Sequence, residues 1–98
     1  MIEQLNRAFE SRVRLGLMAV LVVNDWVDHG TLKELLRVTD GNLASHMSAL
    51  VVARYVRVHK RFVGNRPNTA YQASAAGTKA FKDHLAAMDQ LLRTDLRQ

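Results

Sequence analysis

Apolar residues near the start of the chain recur at helical spacing. Phe9, Val13, Leu17, Val20 and Leu21 fall on one face, which predicts a helix over about residues 3–23. The stretch NDWVDHG (24–30) breaks that period and reads as a loop. In TLKELL, Thr31 and Glu34 stand three apart ahead of an apolar run, the spacing of a helix N-cap and its reciprocal carboxylate. A short helix ending near Val38 should follow, because Thr39, Asp40 and Gly41 then supply a second helix start. In that next helix Leu43, Met47 and Leu50 make an apolar edge. Its other side, Gly41, Asn42, Ala44, Ser45, His46 and Ser48, is short and nearly uncharged. From Tyr55 the period drops to two: Val56, Val58 and Phe62 share one face, interrupted by Lys60, against Arg57, His59 and Arg61 on the other. VGNRPN (63–68) is dense in turn formers, and TAYQAS (69–74) can return as a partner strand with Tyr71 and Ala73 inward. Phe81, Leu85, Met88, Leu92 and Leu96 then predict a long amphipathic helix over about 75–96.

Two short helices joined by a tight turn form a helix-turn-helix arrangement. With the hairpin and the last helix added, the order is that of a winged helix-turn-helix. The expected class is mainly α with a small β-hairpin and long terminal helices, in one domain over residues 1–98. The recognition helix would span about 39–53, the wing about 62–69 and a dimerisation helix about 75–96. At 48% hydrophobic residues, disorder is not expected. The absence of cysteine excludes disulfides and thiolate metal sites. The longest apolar run, LGLMAVLVV (15–23), is shorter than the roughly 20 residues a bilayer requires. Arg12 and Arg14 before it raise a signal peptide, but Glu3 and Glu10 oppose one and no small-x-small site follows Val23. A soluble cytoplasmic protein is the expectation.

Charge sharpens this picture through its distribution. The net charge is +5, yet residues 41–82 hold Arg54, Arg57, Lys60, Arg61, Arg66, Lys79 and Lys82 and no carboxylate at all. Such a run favours a polyanion, with a solvated basic surface as the bland alternative, whereas a protein-binding module would not need acid to be excluded. A helix fits the major groove of B-DNA and reads base edges with its N-terminal residues. Short side chains at Gly41, Ala44, Ser45 and Ser48 would let its backbone come close. Amides near Thr39 to Asn42 can donate to a phosphate. Asn42 can pair with adenine, His46 can donate to a base or phosphate, and Asp40 can favour the helix start or accept from cytosine. On the hairpin, Arg66 could enter a narrow A·T minor groove while Lys60 and Arg61 serve flanking phosphates, with Asn65 and Asn68 able to donate. The bland counterpart is a set of helix caps, surface histidines and a solubilising hairpin.

TLKELLRVTDGNLASHMSAL, YVRVHKRFVGNRPNTAYQAS and AAGTKAF together resemble the short winged-helix transcriptional regulators related to the MarR and ArsR families, over roughly residues 10–90. The most specific part is the TDGNL turn followed by a GxRPxT wing: Gly64, Arg66, Pro67 and Thr69. The resemblance implies dimeric DNA-binding regulators with pairing terminal helices, base and phosphate contacts at 39–48 and a wing contact at Arg66. Three positions depart from that group. It commonly has a basic residue where Ser45 or Ser48 stands. It has glycine where Arg54 stands, which would place Arg54 in a left-handed conformation and add a phosphate ligand. It has LT where Ala73 and Ser74 stand, with Ser74 still able to cap.

The stripe of the last helix runs nearly to the chain end, so a symmetric dimer is expected through Phe9, Val13, Phe81, Leu85, Met88, Leu92 and Leu96. His84 and Asp95 share the last helix with no second histidine, and His29 and His59 are scattered, so no metal and no cofactor are expected. An unknown small-molecule effector would have to bind between the terminal helices. No nucleophile–base pattern or phosphate-cradling loop is present, which argues against an enzyme. The sequence therefore reads as a regulator of a double-stranded DNA operator, with repression the simpler mode. The alternative is a winged-helix module for protein–protein or RNA contact.

Overall fold

The computed structural model describes residues 2–97. Four helices, α1 (Arg12–Val22), α2 (His29–Leu36), α3 (Asp40–Val52) and α4 (Ala75–Leu92), carry a three-stranded antiparallel sheet. Its strands are β1 (Val27–Asp28), β2 (Val56–Val63) and β3 (Arg66–Ala73), in the order β1-β3-β2. This is a winged helix-turn-helix, as the sequence order predicts.

The N-terminal helix is shorter than its apolar period suggests. Two 3-10 turns, Ile2–Gln4 and Arg7–Phe9, precede α1. Side chains explain the break, since Asn and Ser compete with the helix for backbone partners. Asn6 accepts from the Ala8 amide (2.8 Å), and Ser11 caps α1. Asn6 also donates from its backbone to His84 Nδ1 (3.0 Å) and from its side chain to the Tyr55 hydroxyl (2.9 Å). Tertiary partners thus outweigh a continuous helix.

A second correction concerns α2. Its N-cap is Asp28, whose Oδ1 accepts from the Thr31 amide (2.7 Å), so Thr31 lies inside the helix. Asp28 already has the extended geometry a cap requires because it belongs to β1, where Val27 pairs with Tyr71 and Asp28 with Ala70. The segment read as a loop therefore contains a strand. Thr39 caps α3 as expected, its Oγ1 accepting from the Asn42 amide (3.1 Å).

The core joins Leu17, Met18 and Leu21 of α1 to Leu32 of α2 and to Leu43, Met47 and Leu50 of α3. Phe9 and Phe81 close its other end, their rings edge to face at 5.5 Å. The last helix splits its apolar residues. Gly77, Phe81, His84 and Ala87 are buried, while Leu85, Met88 and Leu92 are exposed, and Leu96 lies beyond the helix end.

Ser74 joins the halves of the fold. Its hydroxyl accepts from the Gly77 amide (2.9 Å) and donates to the Arg54 carbonyl (2.7 Å), and its amide donates to the Tyr55 carbonyl (2.9 Å). A Cβ on Gly77 would overlap that Tyr55 carbonyl. Gly77→Ala should therefore cost about 3 kcal/mol in urea unfolding, as overpacking against backbone that cannot retreat. An unfolding midpoint unchanged from the parent would refute this close contact.

Candidate nucleic-acid interface

The sequence of α3 sorts its side chains cleanly. Leu43, Met47 and Leu50 are at most 1% exposed and fix the helix to the core. Ala44 and Ser45 stand three and four residues after Gly41, and Ser48 four and three after them, all on the exposed side, with Asn42 exposed beside them. The stripe continues into Val51 and Val52, the latter 80% exposed. Sequence reading missed these two valines, because apolar residues at a helix end resemble core.

His46 is half-buried, and its Nδ1 accepts from Arg14 Nε (3.2 Å), which links α3 to α1. Asp40 is engaged as well. One carboxylate oxygen pairs with Lys33 Nζ (3.1 Å) and the other with His29 Nε2 (3.2 Å). His29 Nδ1 lies 3.1 Å from the Tyr71 hydroxyl, so a polar chain runs from β3 through α2 to the first turn of α3. Asp40 thereby braces the turn between the two helices. That turn contains Arg37 with φ 55°, a left-handed residue closing α2.

The α3–β2 junction contains the second left-handed non-glycine, Arg54, at φ 66°. The Ser74 hydroxyl on its carbonyl holds it there. The hairpin then pairs Val56 with Ala73 through to Val63 with Arg66, around the two residues Gly64 and Asn65. Gly64 has φ 63°, the conformation of the first central residue in a type II′ turn. Arg66 therefore begins the return strand beside the tip.

Strand pleating divides the wing's cations between two faces. Lys60 shares a face with Val58, Phe62, Pro67, Thr69 and Tyr71, facing α3. Arg57, Arg61 and Arg66 share the opposite face with Asn68, which accepts from Arg61 Nε (3.0 Å). Arg57 lies over the Trp26 ring (5.8 Å), and His59 packs against the same ring. Among the described residues, Arg54, Lys60 and Arg66 pair with no carboxylate. Between α3 and the wing lies a groove of about 640 Å³, floored by Met47, Val51, Val58 and Tyr71, with Lys60 and Ser48 in its walls. No carboxylate lines it.

The dimerisation candidates separate. Phe9 and Phe81 are inside this chain's own core and Val13 is half-buried, whereas Leu85, Met88, Leu92 and Leu96 face outward. Among the described residues no three His, Cys, Asp or Glu side chains converge as metal ligands. No described helix is long and apolar enough to cross a membrane.

At the starts of α2 and α3, the Asp28 and Asp40 carboxyls are held below their ordinary value of 3.8. For Asp28 the cause is chiefly the Thr31 amide, and for Asp40 the hydrogen bond from Lys33. Burial pushes the Tyr71 hydroxyl upward. Depressed carboxyls stabilise the fold above 3.8 and lose that contribution as pH falls below it through their folded values.

A sequence profile of the winged helix DNA-binding domain matches residues 13–92. An uncharacterised protein of Methanocaldococcus jannaschii is 32% identical over 85 residues, 87% of this chain and 92% of its own length. The structure of a transcriptional regulator homologue from Pyrococcus horikoshii superposes with a TM-score of 0.76 at 25% identity, covering 92% of this chain and 94% of that one. A Porphyromonas gingivalis protein assigned to the MarR family shares the fold, with a TM-score of 0.65 at 15% identity, over 89% of this chain and 80% of its own.

Asp28→Ala should lower stability by about 1 kcal/mol at neutral pH. The difference from the parent should shrink when unfolding is measured at about pH 2.5. A gap that stays constant with pH would contradict the role of the charged cap.

Proposed function

The chain belongs to the winged helix DNA-binding domain family of transcriptional regulators, and we propose that it acts as a sequence-specific dimeric repressor. In this reading α3 enters the major groove and the wing lies at the adjacent minor groove. It is a cytoplasmic protein without catalytic activity. The observation that carries the reading is one continuous side of the molecule. There the short stripe Gly41, Ala44, Ser45 and Ser48 stands across a groove without carboxylates from a wing whose Lys60 and Arg66 form no ion pair among the described residues.

Short side chains let the α3 backbone approach the base edges, and Asn42 supplies the amide suited to adenine. Thr39 and the first amides of α3 receive a phosphate at the positive helix end. His46 and Asp40 act mainly by holding α3 against α1 and α2, so they contribute through position. Arg54, Lys60, Arg61 and Arg66 supply phosphate and minor-groove charge, with Asn65 and Asn68 as donors beside them. Both wing faces meet the polyanion, because a hairpin lying in a groove touches a strand on each side.

Dimerisation is supported by shape. The radius of gyration is 15.4 Å, where a compact domain of this length has about 13 Å. The molecule extends 65 Å along one axis against 25 and 20 Å along the others, and on α4 Leu85, Met88 and Leu92 are exposed. Pairing these residues with a second copy, together with Val13 and Leu96 at the edges, would bury them and set two α3 helices about 34 Å apart for half-sites one turn apart. Phe9 and Phe81 support this surface from within.

Three variants test the division of roles in competition binding on the DNA upstream of the gene and on a random duplex. Gly41→Ala has open space for its methyl group, so the fold should be kept or slightly stabilised while affinity falls about tenfold. Asn42→Ala should mainly reduce discrimination between the duplexes. Arg66→Ala should weaken both and reduce the salt slope by about 1. Equal loss of specificity from Asn42→Ala and Arg66→Ala would contradict the assignment. For the dimer, light scattering should give twice the chain mass, and Leu85→Glu with Met88→Glu should halve it. A single-chain mass for the parent at micromolar concentration would rule the dimer out.

A further inference from the structure

We infer that Phe62, backed by Pro67, is an apolar wedge that enters the minor groove and opens a flexible pyrimidine–purine step. The inference rests on the DNA-binding reading above and adds a sequence-selecting residue that charge alone would not supply. Phe62 pairs with Pro67 near the end of the hairpin and is 73% exposed, with Val63 beside it at 58%. Only Val56 of β2 is buried, so from Val58 outward the strand has outrun the core. Phe62 does not line the groove against α3. An unburied phenylalanine forgoes roughly 1.5–3 kcal/mol of transfer free energy, so an apolar partner outside the chain could recover it.

Charge identifies that partner. Lys60 shares the face of Phe62, Arg61 and Arg66 lie on the other face of the same hairpin end, and no carboxylate occurs anywhere in residues 41–82. A phosphate-flanked apolar slot fits an apolar side chain with cations on both faces of its hairpin, and a gap between stacked base pairs is such a slot. The presentation is also firm. Gly64 sets a two-residue turn, and Arg61 clasps Asn68 across the opposite face. Val63 and Arg66 close that turn as a hydrogen-bonded pair, so ladder alternation makes Phe62 and Pro67 a non-hydrogen-bonded pair. The proline then removes no ladder bond and adds a rigid ring beside the wedge. Apolar side chains inserted this way unstack a step and kink the duplex, and pyrimidine–purine steps such as TA yield most easily.

A wedge and an arginine in the same groove prefer different DNA. Arginine favours stiff, narrow A-tracts, whereas a wedge favours alternating A·T sequence with its TA steps. The test uses the full chain, a short alternating A·T duplex carrying 2-aminopurine at its TA steps and an A-tract duplex of equal length. Binding is read by anisotropy, and unstacking by 2-aminopurine fluorescence at saturation. The parent should bind the alternating duplex more tightly and raise its fluorescence. Phe62→Ala, with unchanged circular dichroism, should lose about tenfold in affinity for that duplex, give no fluorescence rise and prefer the A-tract. Phe62→Leu should keep part of the rise, and Arg66→Ala should weaken binding yet keep the rise once saturated. Tight binding by the parent without a fluorescence change, or an equal rise from Phe62→Ala, overturns the wedge while leaving the DNA-binding reading intact. A lower solution mass for Phe62→Ala overturns it in favour of a protein contact. Failure of the parent to bind either duplex at low salt overturns both readings.

Discussion

The arrangement of this molecule depends on the contact between the Tyr55 carbonyl and the first turn of α4. The carbonyl accepts from the Ser74 amide and rests against Gly77, where a side chain has no room. Ser74 simultaneously caps α4 and holds the carbonyl of left-handed Arg54. One residue therefore connects the end of α3, the start of β2, the end of β3 and the start of α4. The direction of the helix and that of the wing are set together. A surface made from both can then meet a rigid duplex without a separate adjustment of each.

Polar groups divide between holding this frame and leaving charge unmatched. Asp28 caps α2, and Asp40 is shared between Lys33 and His29. Asp83, Asp89 and Asp95 pair with cations on or after α4. Each of these ion pairs is exposed and contributes little to stability alone. Their consequence is spatial, because the acids are consumed at the helix turn and on the last helix. On the wing, Lys60 and Arg66 are left without an ion-pair partner among the described residues, which is the electrostatic footprint of a polyanion site.

The chain displays some of this architecture openly and hides the rest. The caps Thr39 and Ser74 and the hairpin turn rest on contacts a few residues apart, so their residue types reveal them. The break before α1 does not, because Asn6 finds partners in His84 and Tyr55, far along the chain. Asp28 displaces Thr31 as the cap for a similar reason, since pairing with Ala70 sets its backbone. The short stripe of α3 was legible because Leu43, Met47 and Leu50 leave only one possible outer side. The placement of the wing's side chains was only half legible. Alternation separates Lys60 from Arg61, but it gives no sign that Phe62 has passed the edge of the core. Likewise, Phe81 and Leu85 share a helical face in projection, yet the core covers only the first.

Fluorescence anisotropy of the parent protein tests the central claim most directly, using the DNA upstream of its gene against a random duplex across a salt series. The account predicts tighter binding to the upstream DNA. It also predicts affinity falling with salt at a slope of about −0.9 per phosphate contacted, so that several wing cations give a steep line. Absence of binding to either duplex at low salt would contradict it and would mean that the unmatched cations of the wing face some other partner.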